Sequence, residues 1–293
     1  MTTDVLAAPA FATAVARPRR RVRPRSAVSG PLGHVVMVLL SIFCLFPVYW
    51  MILTSLRPAN EIFDTALWPS TASLDNYIYA LRAIPIVRML WNTLVVSLAV
   101  TVIQLLTGLL AAYGFARWRF RFDTLVYTLI ALTWLVPLQV VMIPNYLLVA
   151  QLGLLDSIVA LILPHFSSAL AIMLLAQAMR SFPKEVIEAA RMDGARPWRV
   201  LWEVVTPSMR GTLASLAILI FISTWNEYFW PLLLSRTPEN SVVQIGIQSF
   251  ITSEGTAWGP LMAASTMASL PILIIYIALQ RQVVQSFMKS GLR

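Results

Sequence analysis

The sequence is short of charge. Of its 293 residues, 12% are Asp, Glu, Lys or Arg and 58% are hydrophobic, whereas a soluble globular domain carries about 25% charged residues. Such a chain has too few polar side chains to cover a water-soluble globule, so hydrocarbon is the solvent that its surface predicts. It also holds a single cysteine, Cys44, which excludes an internal disulfide framework and any Cys/His metal pattern.

What the sequence does contain is a series of long apolar runs. Six of them are each long enough to cross about 30 Å of hydrocarbon, which takes about 20 apolar residues. Five have no charged residue, and the sixth contains one acid, Glu227. We therefore predict an all-α membrane protein with six transmembrane helices. Their expected positions are about 35–55, 89–114, 124–143, 157–178, 211–234 and 260–280.

The basic residues predict the orientation. With the N-terminus inside, 18 of the 22 Lys and Arg residues fall on the cytoplasmic side, where such an excess is typical. Both termini are therefore expected in the cytoplasm. The net charge of +9 is then an orientation signal. Nucleic-acid binding is excluded because the cations are spread over four short segments and form no single basic face. Residues 1–30 are predicted to be a disordered basic tail, and 31–293 a single transmembrane domain.

The cytoplasmic loop 180–210 is too long and too patterned for a plain connector. Glu185 to Asp193 reads as a short helix, with Val186, Ala189 and Ala190 on one face. Gly194 is expected to stop this helix, and a second one should run from residue 197 to 204 or 205. Two short helices joined by a glycine turn predict a compact knob that faces the cytoplasm, where a soluble partner would bind.

This loop resembles a known family motif. Glu188-Ala189-Ala190, followed by Gly194, Val204 and Pro207, is similar to the EAA loop, E-A-A-x3-G-x9-I-x-L-P, of bacterial ATP-binding-cassette (ABC) importer permeases. Val204 and Thr206 replace the usual Ile and Leu. Further similarity to the second permease of the carbohydrate-type group, which takes up maltose, multiple sugars or glycerol 3-phosphate, lies at residues 54–57, 61–63, 112–117, 152–157, 225–227 and 280–281.

The resemblance implies a multi-pass permease of the bacterial plasma (inner) membrane, in lipid, that is not an enzyme. It pairs with a second, homologous permease, while two ATPase subunits bind the EAA loops and an extracytoplasmic binding protein delivers the solute. The expected ATPase-coupling residues in this chain are Glu188, Ala189, Ala190, Arg191, Asp193 and Gly194. This chain is expected to bind no cofactor or metal, since ATP and Mg²⁺ would bind the ATPase. It also lacks the Gly-Lys-Ser/Thr of a phosphate-binding loop.

Polar residues inside predicted spans are costly and are candidates for function. Glu227, with Asn226 and Trp225 beside it, and His165 are expected at similar depth, and Gln139 also falls there. We predict that they line a solute pathway, although such groups also serve as hydrogen-bond partners of neighbouring helices. No Lys or Arg lies within a predicted span, so a phosphate would lack a partner here. This favours a neutral sugar or polyol, with glycerol 3-phosphate or a glycerophosphodiester as the alternative.

Two other classes compete with an ABC importer. An ion-coupled secondary transporter would need paired acids near the midplane, and one off-centre acid, Glu227, is too few. An intramembrane enzyme is disfavoured because the sequence contains no GxSxG or HExxH motif.

Overall fold

A computed structural model describes residues 30–118 and 120–290, including their side chains except those of 279 and 281–290. Apart from Gly30, the predicted tail 1–30 lies outside the described residues. The described chain is mostly helical. Its α-helices are α1 (Pro31–Ser55), α2 (Asp75–Ala83), α3 (Ile86–Arg117), α4 (Asp123–Thr133), α5 (Leu138–Gln151), α6 (Ile158–Ile162), α7 (Ala169–Arg180), α8 (Lys184–Met192), α9 (Pro197–Arg199), α10 (Thr206–Ser208), α11 (Arg210–Trp225), α12 (Phe229–Leu234), α13 (Val243–Gln248) and α14 (Trp258–Ser290).

The expectation of an all-α chain needs one small correction. Strands β1 (Ile251–Thr252) and β2 (Gly255–Thr256) form an antiparallel hairpin just before α14. A glycine with φ of +145° begins the second strand, a conformation that other residues rarely adopt. A π-helical segment, Val200–Val205, joins α9 to α10. The helical segment 197–208 is therefore continuous, and it runs slightly past the predicted end at residue 205.

Three helices are long and apolar enough to cross a membrane unbroken: α1, α3 and α14 as far as Ala278. Three helix pairs meet the same criterion only together, because each is bent. The bends are 94° between α4 and α5, 47° between α6 with its 3₁₀ extension and α7, and 79° between segment 197–208 and α11. The described chain thus holds three candidate spans, or six if each bent pair is one span.

The breaks fall where the backbone cannot continue an α-helix. Pro137 precedes α5, and Pro164 lies in the 3₁₀ turn after α6. A proline has no N–H to donate and disfavours helical geometry in the residue before it. The predicted span 211–234 is also interrupted, since α11 ends at Trp225 and α12 begins at Phe229. Most of the predicted segments are therefore helical, but three of the six are broken within the expected range.

The contacts divide the described chain into an N-terminal unit that ends at Pro47 and a main unit from Val48 onward. In the first unit, helix α1 presents exposed apolar side chains such as Phe43, together with Cys44. In the main unit, α3 packs closely on α7 and α11. Gly108 of α3 makes the approach to α7 possible, because a Cβ there would lie 3.3 Å from side-chain atoms of Ala171 and Leu175.

A buried arginine and an asparagine fix the loop after α1. The guanidinium of Arg57 is 1% exposed, lies 4.9 Å from the Trp50 ring centre and donates to the carbonyl oxygens of Asp64 and Ala66. The amide of Asn76 donates to the carbonyl oxygens of Ser55 and Arg57 at 3.0 and 2.8 Å. The bond to Ser55 satisfies a carbonyl group that the end of α1 leaves without a partner.

Candidate functional site

The predicted knob is present as α8, a tight turn and the helical segment 197–208. The turn is a Schellman motif: the N–H of Ala195 donates to the carbonyl oxygen of Ala190 at 3.0 Å, and that of Gly194 to Arg191 at 2.9 Å. Gly194 has φ of +80°, the left-handed conformation that favours glycine. An added Cβ would meet no atom within 4 Å. The glycine is therefore required for its backbone conformation, and not for lack of space.

The face of α8 that packs inward differs from the predicted one. Ile187 and Ala190, with Ala195 beyond the turn, pack against the main core, whereas Val186 and Ala189 are exposed. Ala190 therefore packs against the core of this chain, whereas Ala189 is exposed. The outward surface, called here the α8 face, consists of residues that are all exposed: Glu185, Val186, Glu188, Ala189 and Met192.

The charges around the α8 face have no ionic partner among the described residues. Glu188, Arg191 and Asp193 are exposed, and within the described residues Glu188 and Arg191 do not form an ion pair. The one ion pair in the described part of the chain joins Arg199 and Glu203 at 2.6 Å. This pair raises the pKa of Arg199 and holds the segment 197–208, not α8. The charges beside Ala189 therefore remain available to another molecule.

The knob is fixed to the rest of the main unit at its base. Val200, Leu201 and Val205 of the segment 197–208 are almost fully buried. The hydroxyl of Tyr113, near the end of α3, donates to the carbonyl oxygen of Pro197 at 3.0 Å. A displacement of α8 would therefore act on α3 and, through the following bend, on α11.

The second site is a cavity of about 260 Å³ between α3, α7 and α11. Glu227 and His165, two of the predicted pathway residues, both line it. Both also line a smaller void of about 10 Å³ beside Trp230. The structure thus brings together an acid and an imidazole that are 62 positions apart in the sequence.

Each of these two side chains also has a local structural contact. The Oε1 atom of Glu227 accepts the backbone N–H of Phe229 at 3.0 Å and of Trp230 at 3.4 Å, so it caps the start of α12. The Nδ1 atom of His165 lies 3.3 Å from the carbonyl oxygen of Leu161. Gln104 donates to the carbonyl oxygen of His165 at 2.9 Å. The polar groups at the cavity wall are thereby held in fixed positions.

Three other candidates lie apart from this wall. Gln139 is exposed on α5 and lines neither void. Trp225 is 1% exposed, and its indole N–H has no partner. Asn226 donates to the carbonyl oxygen of Ile222 at 2.8 Å, and its Oδ1 lies 3.3 Å from Nε2 of Gln244. The latter two residues therefore shape the break between α11 and α12 and do not face the cavity.

The sequence reasoning missed several small polar residues at the cavity. Ser223 and Thr224 precede Glu227 by four and three positions, and Ser168 follows His165 by three. Helical spacing of three or four places side chains on one face. Applied to Glu227, this rule would have found Ser223 and Thr224, whereas Ser168 lies in the extended break before α7 and carried no such signal.

An acidic side chain ties two loops together at the far end of α12. The carboxylate of Asp156 accepts the N–H groups of Arg236 and Thr237 at 2.8 and 3.0 Å, the Thr237 hydroxyl at 2.8 Å and the Asn240 amide at 3.3 Å. The backbone bonds from Thr237 and Arg236 lower the pKa of Asp156 to about 2. Its own N–H donates to Leu234 at 2.8 Å.

Residues 104–289 match the family described as the inner membrane component of binding-protein-dependent transport systems. The chain belongs to this family. It is therefore a non-catalytic, membrane-embedded permease subunit of an ABC importer, as the EAA-like loop predicted. The match includes α8, segment 197–208 and the cavity lined by Glu227.

Its relatives transport carbohydrates or related solutes. The chain is 32% identical over 257 residues to the lactose transport system permease protein LacG of Rhizobium radiobacter, covering 88% of this chain and 94% of that one. It is 27% identical over 274 residues to the sn-glycerol-3-phosphate transport system permease protein UgpE of Brucella abortus, covering 90% and 97%. A chain of a bacterial ABC transporter involved in the import of the acidic polysaccharide alginate superposes with a TM-score of 0.74 at 26% identity, covering 85% and 94%. The prediction of a carbohydrate-type importer permease is confirmed.

Proposed function

We propose that this permease forms half of the import pathway for a neutral sugar or related polyol and is driven by separate ATPase subunits that bind the α8 face. The observation that carries this proposal is the architecture of α8. Its inner side is anchored by Ile187 and Ala190, and its outer side presents Ala189 between unpaired charges. A small side chain lets another backbone approach closely, and the charges supply directional contacts.

The proposed topology has six spans and both termini in the cytoplasm. Three straight helices and the two bent pairs α4–α5 and α6–α7 supply five of the spans. For the fifth span, we assign α11 with α12, and we assign segment 197–208 to the cytoplasmic knob. This choice leaves Arg196, Arg199 and Arg210 on the cytoplasmic side, as the excess of basic residues there requires.

The geometry suggests how ATPase movement reaches the pathway. A force on the α8 face is carried by the Schellman turn and by the buried side chains of segment 197–208 to the start of α11. The other end of α11 bears Ser223 and Thr224 on the cavity wall. Because Val205, Leu216 and Ile220 belong to one packed core, we expect α8 and α11 to move together.

The cavity supports a neutral solute. Among the described residues that line it, Glu227 is the one Asp, Glu, Lys or Arg, and His165, Gln104 and three hydroxyl groups supply further hydrogen-bonding partners. A sugar presents many hydroxyls and no charge, so it suits such a set. The relative LacG is named for lactose, a neutral sugar, whereas UgpE is named for sn-glycerol 3-phosphate, an anion. Glycerol 3-phosphate therefore remains the second candidate, with the partner permease as the source of the cation.

The proposed complex contains this chain, a second homologous permease, two ATPase subunits that bind ATP and Mg²⁺, and an extracytoplasmic binding protein. The family description, which makes transport depend on a binding protein, supports the last of these. This chain needs no nucleotide site of its own, because ATP would be hydrolysed by its partners.

Co-purification tests the role of the α8 face. Ala189→Trp should leave the chain folded, since Ala189 makes no internal packing contact, but should strip the ATPase from the complex purified on this tagged chain. Ala83→Trp places the same bulk on an exposed position at the end of α2 and should retain it. Full retention of the ATPase by Ala189→Trp would refute the proposed docking surface.

A solute panel tests the pathway. ATP hydrolysis by the complex, with its binding protein present, should be stimulated by a neutral sugar and not by glycerol phosphates. Stimulation by a glycerol phosphate alone would contradict the assignment of solute and move the anion-binding charge to the partner permease.

A further inference from the structure

A second large cavity lies beside the knob and is not used by the proposed transport cycle. Its volume is about 780 Å³, and it is bordered by the end of α3, the start of α4, the end of α7 and α8. Three cationic side chains line it, Arg117, Arg180 and Lys184. They come from three different helices, so the fold and not a local sequence run gathers the charge.

The cations at this cavity lack acidic partners. None of the three forms an ion pair within the described residues. The guanidinium of Arg180 lies 4.8 Å from the centre of the Tyr127 ring, a cation–π contact that orients it without neutralising it. One acid, Asp123, also lines the cavity, and its carboxylate accepts the N–H and hydroxyl of Thr124 at the start of α4. The cavity therefore retains a net positive charge.

Part of the remaining wall is aromatic. Phe115, Phe120 and Phe182 line the same cavity as the cations. Arg and Lys are the side chains that bind phosphate oxygens through charge-assisted hydrogen bonds, and apolar rings beside them suit a ligand with a hydrocarbon part. Basic pockets between membrane helices on the cytoplasmic side are suited to lipid headgroups. A soluble anion would gain nothing from the rings.

We propose that this cavity binds the phosphate group of an anionic phospholipid from the cytoplasmic leaflet. The assignment rests on the proposed orientation, which places the ends of α3 and α7 at that leaflet. Lys184 is the first residue of α8, and Ile187 of the same helix also lines the cavity. A bound headgroup would thus join α3 and α7 to the helix that carries the α8 face, and the lipid would hold that helix in position.

Lipid retention by the purified complex is the test. The complex is exchanged into detergent with phosphatidylglycerol or with phosphatidylcholine, and retained lipid is counted by native mass spectrometry. The expected result is retention of phosphatidylglycerol by the wild-type complex. Arg180→Gln and Lys184→Gln should each weaken retention roughly tenfold, the loss of one charge-assisted hydrogen bond. Arg196→Gln, which removes the same charge from an exposed position outside the cavity, should retain lipid like the wild type.

Other outcomes refute the proposal. Equal retention by the wild type and by both cavity variants would place the lipid elsewhere, and absence of retention by the wild type would remove the site. Equal retention of inorganic phosphate, added in place of lipid in the same measurement, would show that the cavity binds a soluble anion and not a lipid. Lys184 is an exposed residue at the start of α8, so Lys184→Gln should fold. It still tests the site if Arg180→Gln misfolds. Lipid retention is measured without ATP. A failure to retain lipid would therefore not contradict the proposed ATPase docking, and loss of the ATPase would not contradict the lipid site.

Discussion

Substitution of Gly194 tests whether the left-handed turn after α8 is needed to couple ATP hydrolysis to transport. Gly194 adopts φ of +80°, and an added Cβ would meet no atom within 4 Å. Gly194→Ala therefore introduces no steric overlap with the rest of the chain. It does introduce the cost of a left-handed residue with a Cβ, about 1–2 kcal/mol. That cost is small beside a typical free energy of unfolding of about 5–15 kcal/mol, so the variant should fold and insert.

The strain is relieved if the turn unwinds. A turn without left-handed geometry loses the hydrogen bonds from Ala195 to Ala190 and from Gly194 to Arg191, and α8 then shifts relative to the segment 197–208. A cost of about 1–2 kcal/mol corresponds to a factor of about 5–30 in the equilibrium between the two turn conformations. We expect solute-stimulated ATP hydrolysis and uptake to fall together, by as much as this factor. Gly194→Asp tolerates the left-handed turn better than Ala but adds a second negative charge beside the exposed Asp193, and it should uncouple transport while the protein remains inserted.

A matched glycine provides the control. Gly153, between α5 and α6, has φ of +67°, and its added Cβ would also meet no atom within 4 Å. Gly153→Ala should therefore cost about the same stability and leave transport nearly unchanged. Gly194→Asn should recover part of the activity, because Asn tolerates the left-handed region better than Ala. Wild-type coupling in Gly194→Ala, or an equal loss in Gly153→Ala, would refute the reasoning.

Three further substitutions test the cavity, the loop tie and the helix packing. Glu227→Gln keeps an oxygen to cap α12 but removes the charge, so the KM for solute should rise about tenfold, the loss of one hydrogen bond to a charged group. An unchanged KM would show that Glu227 only caps α12 and does not bind solute. Asp156→Asn should lower the melting temperature at pH 7. The lowered pKa means that the wild-type advantage is complete above about pH 4 and is lost as pH falls through about 2, and a gap that is undiminished at pH 2 would contradict this. Gly108→Leu should prevent stable assembly, because its side chain would overlap Ala171. The readout is loss of the monodisperse complex in size-exclusion chromatography. Gly114→Leu, which has open space around it, should assemble.

Length and composition predicted the straight membrane helices but not the bends. The expected segments 35–55 and 89–114 lie wholly within α1 and α3, because a charge-free run of this length has few other stable states in lipid. Proline did not mark the breaks reliably. Pro137 and Pro164 lie at breaks, whereas Pro144 lies inside α5 without interrupting it. Whether a helix survives a proline depends on neighbouring groups that accept or donate in its place, and these are tertiary contacts.

The same limit applies to the knob. The turn at Gly194 was predictable, since glycine after a short helix commonly marks such a cap. The inner face was not, because Val186 and Ile187 are adjacent and a nine-residue helix offers too few turns to choose between them. Packing against the core selected Ile187. For the intramembrane candidates, the chemistry of the pair Glu227 and His165 was predictable, but their common cavity depends on how α7 and α11 pack.

Helix α11 connects the two candidate sites. It begins at Arg210, directly after the 79° bend from the knob, and ends at Trp225. At 1.5 Å per residue, the distance from Arg210 to Thr224 is about 21 Å, so a tilt of about 10° at the knob would move the cavity wall by about 4 Å. Such a movement exceeds the length of a hydrogen bond. In the proposed transport cycle, small displacements of α8 would therefore be sufficient to remake the contacts of a solute bound at Thr224 and Glu227, without any change within α11 itself.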